Sequence, residues 1–198
     1  MHPEASSNTK PTSRYIGIDD GPFPPRTDDT IRHAPILAAW LKGPHLLQLR
    51  TDWITVDGLD ATRKTLVLLK GSTNIPVLLS GVTFGGFNFI DPWKIQKSSK
   101  APVIVVVGSQ PDNRSVKRAL VRHFPDWKTR WDLIRSLGSL HRVRTMTGEG
   151  PVFFERFGCS TREARWILKT SAFVSRMPEP LRVAGILARG LFPSEPSG

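Results

Sequence analysis

The chain reads as an α/β domain, a mixed sheet covered on both faces with one central parallel portion. Three observations predict this. Residues 14–18, 34–41 and 46–56 are strand-type stretches in direct succession, which makes an antiparallel meander. From residue 60 onward helical and strand patterns alternate, which calls for crossover connections and parallel pairing. Residues 102–107, P-V-I-V-V-V, form an unbroken apolar run, the pattern of a strand buried on both faces.

Each element has a local reason. Arg14–Ile18 is stopped by Asp19-Asp20-Gly21. The following G-P-F-P-P cannot continue a strand, because proline lacks the N–H and fixes φ. Lys42-Gly43-Pro44 is the turn between the second and third strands. Asp57-Gly58-Leu59-Asp60 ends the third, and Asp60 stands as N-cap of a helix over about 61–71. Val77–Leu79 is a fourth strand, feeding the loop S-G-V-T-F-G-G-F-N-F-I-D. Asp91-Pro92 opens a short helix, with Pro at the first helical position. Helices follow at about 113–123 and 126–137, then short strands at Val143–Met146 and Val152–Phe157. Ser160-x-x-Glu163 is a capping box for a helix to about residue 171. Leu181, Ala184, Leu187 and Leu191 mark the apolar stripe of a last helix over 179–191. Residues 14–192 are read as one domain, between a disordered tail over 1–13 and a flexible tail over 193–198.

Composition bounds the function. Hydrophobic content of 39% and charged content of 23% fit a globular chain of 198 residues. No apolar run reaches the roughly 18 residues of a membrane span. The N-terminal stretch lacks the apolar centre of a secretory signal. The single cysteine, Cys159, excludes an internal disulfide, and the five histidines show no ligand spacing. These features point to a cytoplasmic protein with no membrane partner. Charge narrows the field. The net charge is +11, and it is uneven: residues 1–98 hold 11 Lys/Arg against 9 Asp/Glu, residues 99–198 hold 17 against 8. Arg outnumbers Lys by 18 to 10, and Arg suits bidentate phosphate contact. A basic half beside an Asp-bearing half suits a protein that acts on nucleic acid. Arg114, Lys117, Arg118 and Arg122 on one predicted helix are the phosphate-contacting candidates.

Three strand exits carry polar groups: Asp19 and Asp20, Asp57 and Asp60, and Ser80. If these ends lie side by side, Asp19 and Asp57 face one cavity. Carboxylates on rigid strand ends bind Mg²⁺ or Mn²⁺, hard ions that prefer oxygen and keep waters for a phosphate substrate. The bland reading of the same residues is turn chemistry, since Asp-Gly favours turns and Asp favours N-caps. Ser80 is a neutral, weak ligand. Phe84, Gly85, Gly86, Phe87 and Asn88 form a Gly-aromatic surface, suited to stacking a splayed base and bonding its edge. The alternative is that some of these phenylalanines are core.

The chain resembles the archaeal endonuclease dU family, which is related to endonuclease V. The matching segments are G-I-D-D-G-P-F (17–23), I-T-V-D-G-L-D-A-T (54–62), G-V-T-F-G-G-F-N (81–88) with Asp91, P-V-I-V-V (102–106) and P-E-P-L-R-V-A (178–184). The resemblance implies an RNase H-like fold, a mixed five-stranded sheet with helices on both faces. It implies a metal-dependent endonuclease acting on deaminated, deoxyuridine-type lesions in DNA repair, single-stranded DNA included. Asp19, Asp20, Asp57 and Asp60 match the family's acidic motifs as ligands of Mg²⁺ or Mn²⁺, with Asp19, Asp57 and Ser80 at the catalytic positions. Phe84 to Asn88 match the loop beside the active site. The chain departs from the family at two polar positions. Ser80 stands where the family usually has Asp, the metal-ligand position in endonuclease V, and Gly185 stands where it usually has His. The implied alternative is a catalytically degenerate nucleic-acid-binding protein of the same fold.

Overall fold

A computed structural model describes residues 13–25 and 30–192; the two expected tails lie, Ser13 apart, outside them. The meander is Arg14–Asp20 (β1), His33–Lys42 (β2) and His45–Thr55 (β3). Ala61–Leu68 (α1) leads to Val77–Leu79 (β4), and the Gly-rich loop holds Thr83–Phe84 (β5) and Asn88–Phe89 (β6). Pro92–Ser99 (α2) precedes Val103–Val107 (β7), and Asn113–His123 (α3) precedes Trp127–Arg135 (α4). His141–Val143 (β8), Val152–Phe157 (β9), Thr161–Ser171 (α5) and Glu179–Leu191 (α6) complete the order.

The main sheet runs β3-β2-β1-β4-β7-β9-β8. Its first five strands are the expected mixed sheet, antiparallel from β3 to β1 and parallel from β1 through β4 to β7. The sheet does not stop at five. β9 pairs antiparallel with the whole of β7, and β8 pairs with β9, giving seven strands. The sequence showed β9 but not its partner. β8 lies at 141–143 rather than 143–146, because its register with β9 runs from His141 opposite Phe154 to Val143 opposite Val152. The β5–β6 hairpin has two residues a side, too short to leave a period in the sequence.

Alternation along the central strands builds two cores. Ile16 and Ile18 of β1, Val77 and Leu79 of β4, and Val103 and Val105 of β7 face Leu68 of α1 and Ile95 of α2. Tyr15, Leu78, Ile104 and Val106 face Ala164, Ile167 and Leu168 of α5 and Leu181 of α6. Helices therefore cover both faces, and the inner strands read as continuous apolar runs because both sides are dry. No helix among the described residues is long and apolar enough to cross a membrane.

α6 crosses β1 at Gly17 with almost no gap. A Cβ there would collide with the Pro180 carbonyl and come within 2.7 Å of the Leu181 nitrogen. Backbone cannot move aside as a side chain can. Gly17→Ala is therefore expected to destabilise the protein by about 2–4 kcal/mol, beyond ordinary overpacking; urea titration checks this, and a change below about 0.5 kcal/mol would refute the close crossing.

Candidate functional site

β1 and β4 are parallel neighbours, so their C-terminal ends lie together. Ile18 pairs with Leu79, and the Ser80 amide donates to the Ile18 carbonyl at 3.0 Å. This register sets Asp19 beside Ser80 at the strand-end edge, where α/β sheets commonly bind ligands. The Ser80 hydroxyl hydrogen-bonds the Asp19 carboxylate. α6 closes the other side. A Cβ on Gly185 would collide with Asp19 Oδ2 and lie 3.2 Å from a guanidinium nitrogen of Arg189. Ser80 and Gly185 thus converge on one carboxylate. Arg189 follows Gly185 by one helical turn; only that i,i+4 spacing marked it in the sequence.

Burial pushes the Asp19 carboxyl up to about 7, and the neighbouring charge of Asp20 adds to the rise. The Asp20 amide at 3.0 Å, the Ser80 hydroxyl and Arg189 oppose it without cancelling it. Asp20 is raised as well, mainly by burial, against a 2.6 Å bond from the Gly85 amide to its Oδ2.

The other expected ligands serve the loop. Asp57, at φ 59°, accepts from the Phe87 amide at 2.9 Å and pairs with Arg32 at 3.6 Å. Gly86, at φ 82°, has no room for a Cβ against Asp57 Oδ1. Asp60 does not cap α1 with its side chain; it accepts from the Thr55 amide at 3.1 Å and from Asn88 Nδ2 at 2.6 Å. Asp57 and Asp60 therefore hold the 55–60 turn and the 85–88 loop together. Asn88 is wholly buried: it accepts from the Ala61 amide and donates to the Thr55 carbonyl and Asp60, which leaves nothing for a base edge. Phe84 is likewise fully buried core, not a stacking surface. Gly85 is buried, Gly86 is exposed, and Phe87 is half-buried with its ring edge-on to Phe124 at 5.4 Å.

Arg130 is the residue sequence reasoning missed. It lies in the basic series but is only 6% exposed. Its guanidinium donates to the Gly58, Phe87 and Asp57 carbonyls at 3.1, 2.6 and 3.0 Å, pairs with Asp126 at 2.9 Å and lies over the Phe124 ring. The remaining basic candidates behave as expected of a surface. Arg114, Lys117, Arg118 and Arg122 of α3, with Val121, line a shallow concavity of about 370 Å³. Burial pushes the Cys159 thiol up to about 11, which makes it a poor nucleophile.

The donor set does not suit a divalent ion. At the strand end Asp19 meets a hydroxyl, a glycine, a guanidinium and the Asp20 carboxylate, which accepts from the Gly85 amide, while Asp57 and Asp60 are engaged by backbone amides, Arg32, Thr55 and Asn88. Among the described residues no group of three or more His, Cys, Asp or Glu could hold a metal.

The family model of Endonuclease dU matches residues 11–192. The chain belongs to the Endonuclease dU family. Among its relatives, a UPF0215 protein of Methanothermobacter thermautotrophicus is 36% identical over 192 residues, covering 93% of this chain and 90% of the relative. A UPF0215 protein of Thermococcus gammatolerans is 33% identical, covering 94% and 95%. Among solved structures, a protein of unknown function from Archaeoglobus fulgidus superposes with a TM-score of 0.77 at 27% identity, covering 92% and 99%. Endonuclease V of Ciona intestinalis, solved with DNA containing an inosine, gives 0.53 at 16% identity, covering 91% and 86%. Bacillus subtilis endonuclease V gives 0.56 at 12%, covering 90% and 80%. This Endonuclease dU member thus shares the RNase H-like nuclease fold, and family and fold together support a nuclease.

Two measurements probe the geometry. Arg130→Met leaves three carbonyls and Asp126 without their partner and should cost about 2–4 kcal/mol in urea titration; a near-neutral change would show that the clamp is dispensable. Asp19 holds its proton more tightly folded than unfolded, so stability should fall as pH rises from about 4 to about 7 and then level off. Asp19→Asn should remove part of that fall and stabilise the protein at pH 8 by on the order of 1–2 kcal/mol. Thermal melts across that range decide it, and an unchanged slope would contradict the buried carboxyl.

Proposed function

We propose that this chain recognises DNA carrying deaminated, deoxyuridine-type bases and holds it with little or no strand cleavage. The observation that carries the reading is the surroundings of Asp19. Its neighbours are Ser80, the bare backbone of Gly185, Arg189 and the carboxylate of Asp20, which the Gly85 amide holds, so the strand end presents two adjacent carboxyls and a cation in place of a ring of anionic and imidazole ligands. Family membership and the endonuclease fold support nucleic acid as the partner. The inosine-containing DNA bound by Ciona endonuclease V supports a deaminated base as the class of lesion.

The chain's own residues supply binding without hydrolysis. The four cations of α3 stand outside the core and are placed for backbone phosphates. Arg130 and Asp57 hold the Gly86–Phe87 apex still, which lowers the ordering cost of binding. Arg189, exposed beside Asp19, offers a further phosphate contact. A second reading, favoured by the family itself, is a Mg²⁺- or Mn²⁺-dependent endonuclease working in DNA repair at the same strand end.

Fluorescence anisotropy with a uracil-containing single strand across a salt series tests the first reading. Four phosphate contacts predict a log–log slope of about −3, and Arg114→Ala with Lys117→Ala should reduce its magnitude by about 1.4. A flat response removes nucleic acid from the account. Wild type with Mn²⁺ should leave the strand uncut. Cleavage that Asp19→Ala abolishes would establish the second reading instead.

A further inference from the structure

We propose that β3 pairs with the β3 of a second copy of this chain, antiparallel about a two-fold axis at Thr51, so that two sheets join into one. The interface is independent of the DNA-binding reading above. β3 is an edge strand of 11 residues, and nothing among the described residues pairs with its outer side. A long open edge is a template for another strand, and natural sheets usually blunt it with Lys, Pro, a bulge or brevity. Here the bulge lies only at the hairpin end, where the register with β2 skips Leu47. Residues 48–55 pair regularly with β2 and hold neither Lys nor Pro.

The backbone of that edge is open to a partner. The Trp53 amide donates to the adjacent Asp52 side chain at 2.7 Å, and the Thr55 amide donates to Asp60 at 3.1 Å, so both point away from β2. Antiparallel alternation gives Leu49 and Thr51 the same outward N–H and C=O groups. The side chains of Leu49, Thr51 and Trp53 share the face toward α6. Leu49 packs with Val183, and the Trp53 ring stands edge-on to Phe192 at 5.3 Å. α6 lies over β1 and β2, however, and leaves β3 largely uncovered on this side. Trp53 is 48% exposed and Leu191 53%, apolar surface that a second copy would take out of water.

Charge selects the register. Arg50 and Asp52 lie on the opposite face, toward α1. The Arg50 guanidinium is held 4.9 Å over the Trp40 ring by the Leu68 and Lys70 carbonyls, both at 2.7 Å, and has no carboxylate partner among the described residues. Asp52 pairs with Lys64 at 2.8 Å. An axis at Arg50 would set Arg50 against Arg50, and an axis at Asp52 would set Asp52 against Asp52. With the axis at Thr51, Arg50 of each copy stands opposite Asp52 of the other, Leu49 stands opposite Trp53, and Thr51 stands opposite itself. Opposite charges and aromatic–aliphatic pairs stabilise cross-strand neighbours, and like charges repel. The run L-R-T-D-W (49–53) is therefore complementary to itself, as an isologous two-fold interface requires. Such an axis is perpendicular to the sheet. It keeps both α1 helices on one face and points the two Asp19 strand ends in opposite directions.

Sedimentation equilibrium from submicromolar to tens of micromolar protein tests the pairing, and wild type is expected to reach twice the chain mass. Thr51 is exposed, so Thr51→Lys and Thr51→Glu should melt at the wild-type temperature. Each variant alone sets like charges against each other at the axis, and its dimer dissociation constant should rise by at least about 10-fold. Mixing the two variants should restore the dimer, because Lys then faces Glu. Registers that set Thr51 opposite Leu49 or Trp53 would not give this rescue. Wild type that stays monomeric throughout overturns the pairing and leaves the edge to the chain's own ends or to a different partner. A dimer that Thr51→Lys leaves intact, or a mixture of variants that stays monomeric, also overturns it.

Discussion

The close crossing of α6 over β1 is the constraint on which the rest of the strand end depends. Gly17 lets the helix backbone sit on the strand, and Gly185, little more than one turn past Pro180, lets it stay low beside Asp19. Asp19 is part-buried because α6 is close, and that burial raises its carboxyl. The same crossing brings Arg189 over the carboxyl. A longer side chain at either glycine would lift the helix or push the carboxyl aside, and the loop and basic face would then surround a different edge.

The two faces of β1 divide the labour. Asp19 looks toward α6 and is the chemically uncommitted group. Asp20 looks toward the loop and is bound to the Gly85 amide. Asp57, Asp60 and Asn88 finish the work on that second face, mostly through backbone and amide partners, with Arg32 and Thr55 on the remaining carboxylate oxygens. These residues form a scaffold that fixes loop shape, and their acidity is used largely to bind N–H groups. A side chain that satisfies a buried amide is not free to ligate, so motif identity and ligand function separate here.

Much of this was readable in the residues. The strand–helix order was, because the central strands are apolar on both faces and the helices carry capping signals at Asp91, Ser160 and Asp112. So was the meeting of Asp19 and Ser80, given two parallel strands ending together. What a strand exit cannot reveal is which partners its carboxylates take, and the bonds of Asp57 and Asp60 to the loop were hidden for that reason. Asn88 and Phe84 sit in a Gly-rich, aromatic run that reads as exposed, yet the two-residue hairpin folds both inward. Arg130 was invisible because its partners are carbonyls, which every residue has and no sequence displays.

The Arg130 clamp also orders events in time. It ties Asp57 and Gly58, more than 70 positions earlier in the chain, to Phe87, 43 positions earlier. Closing spans of that length costs chain entropy before any bond returns it. The turn and the loop can each adopt their fold locally, but neither gains its bonds to the guanidinium until α4 has formed and docked. During synthesis, then, the Gly86–Phe87 apex is set only after the ribosome has delivered a helix that contributes nothing to the sheet. The loop therefore gains its bonds to Arg130 later than the strands that carry it are made.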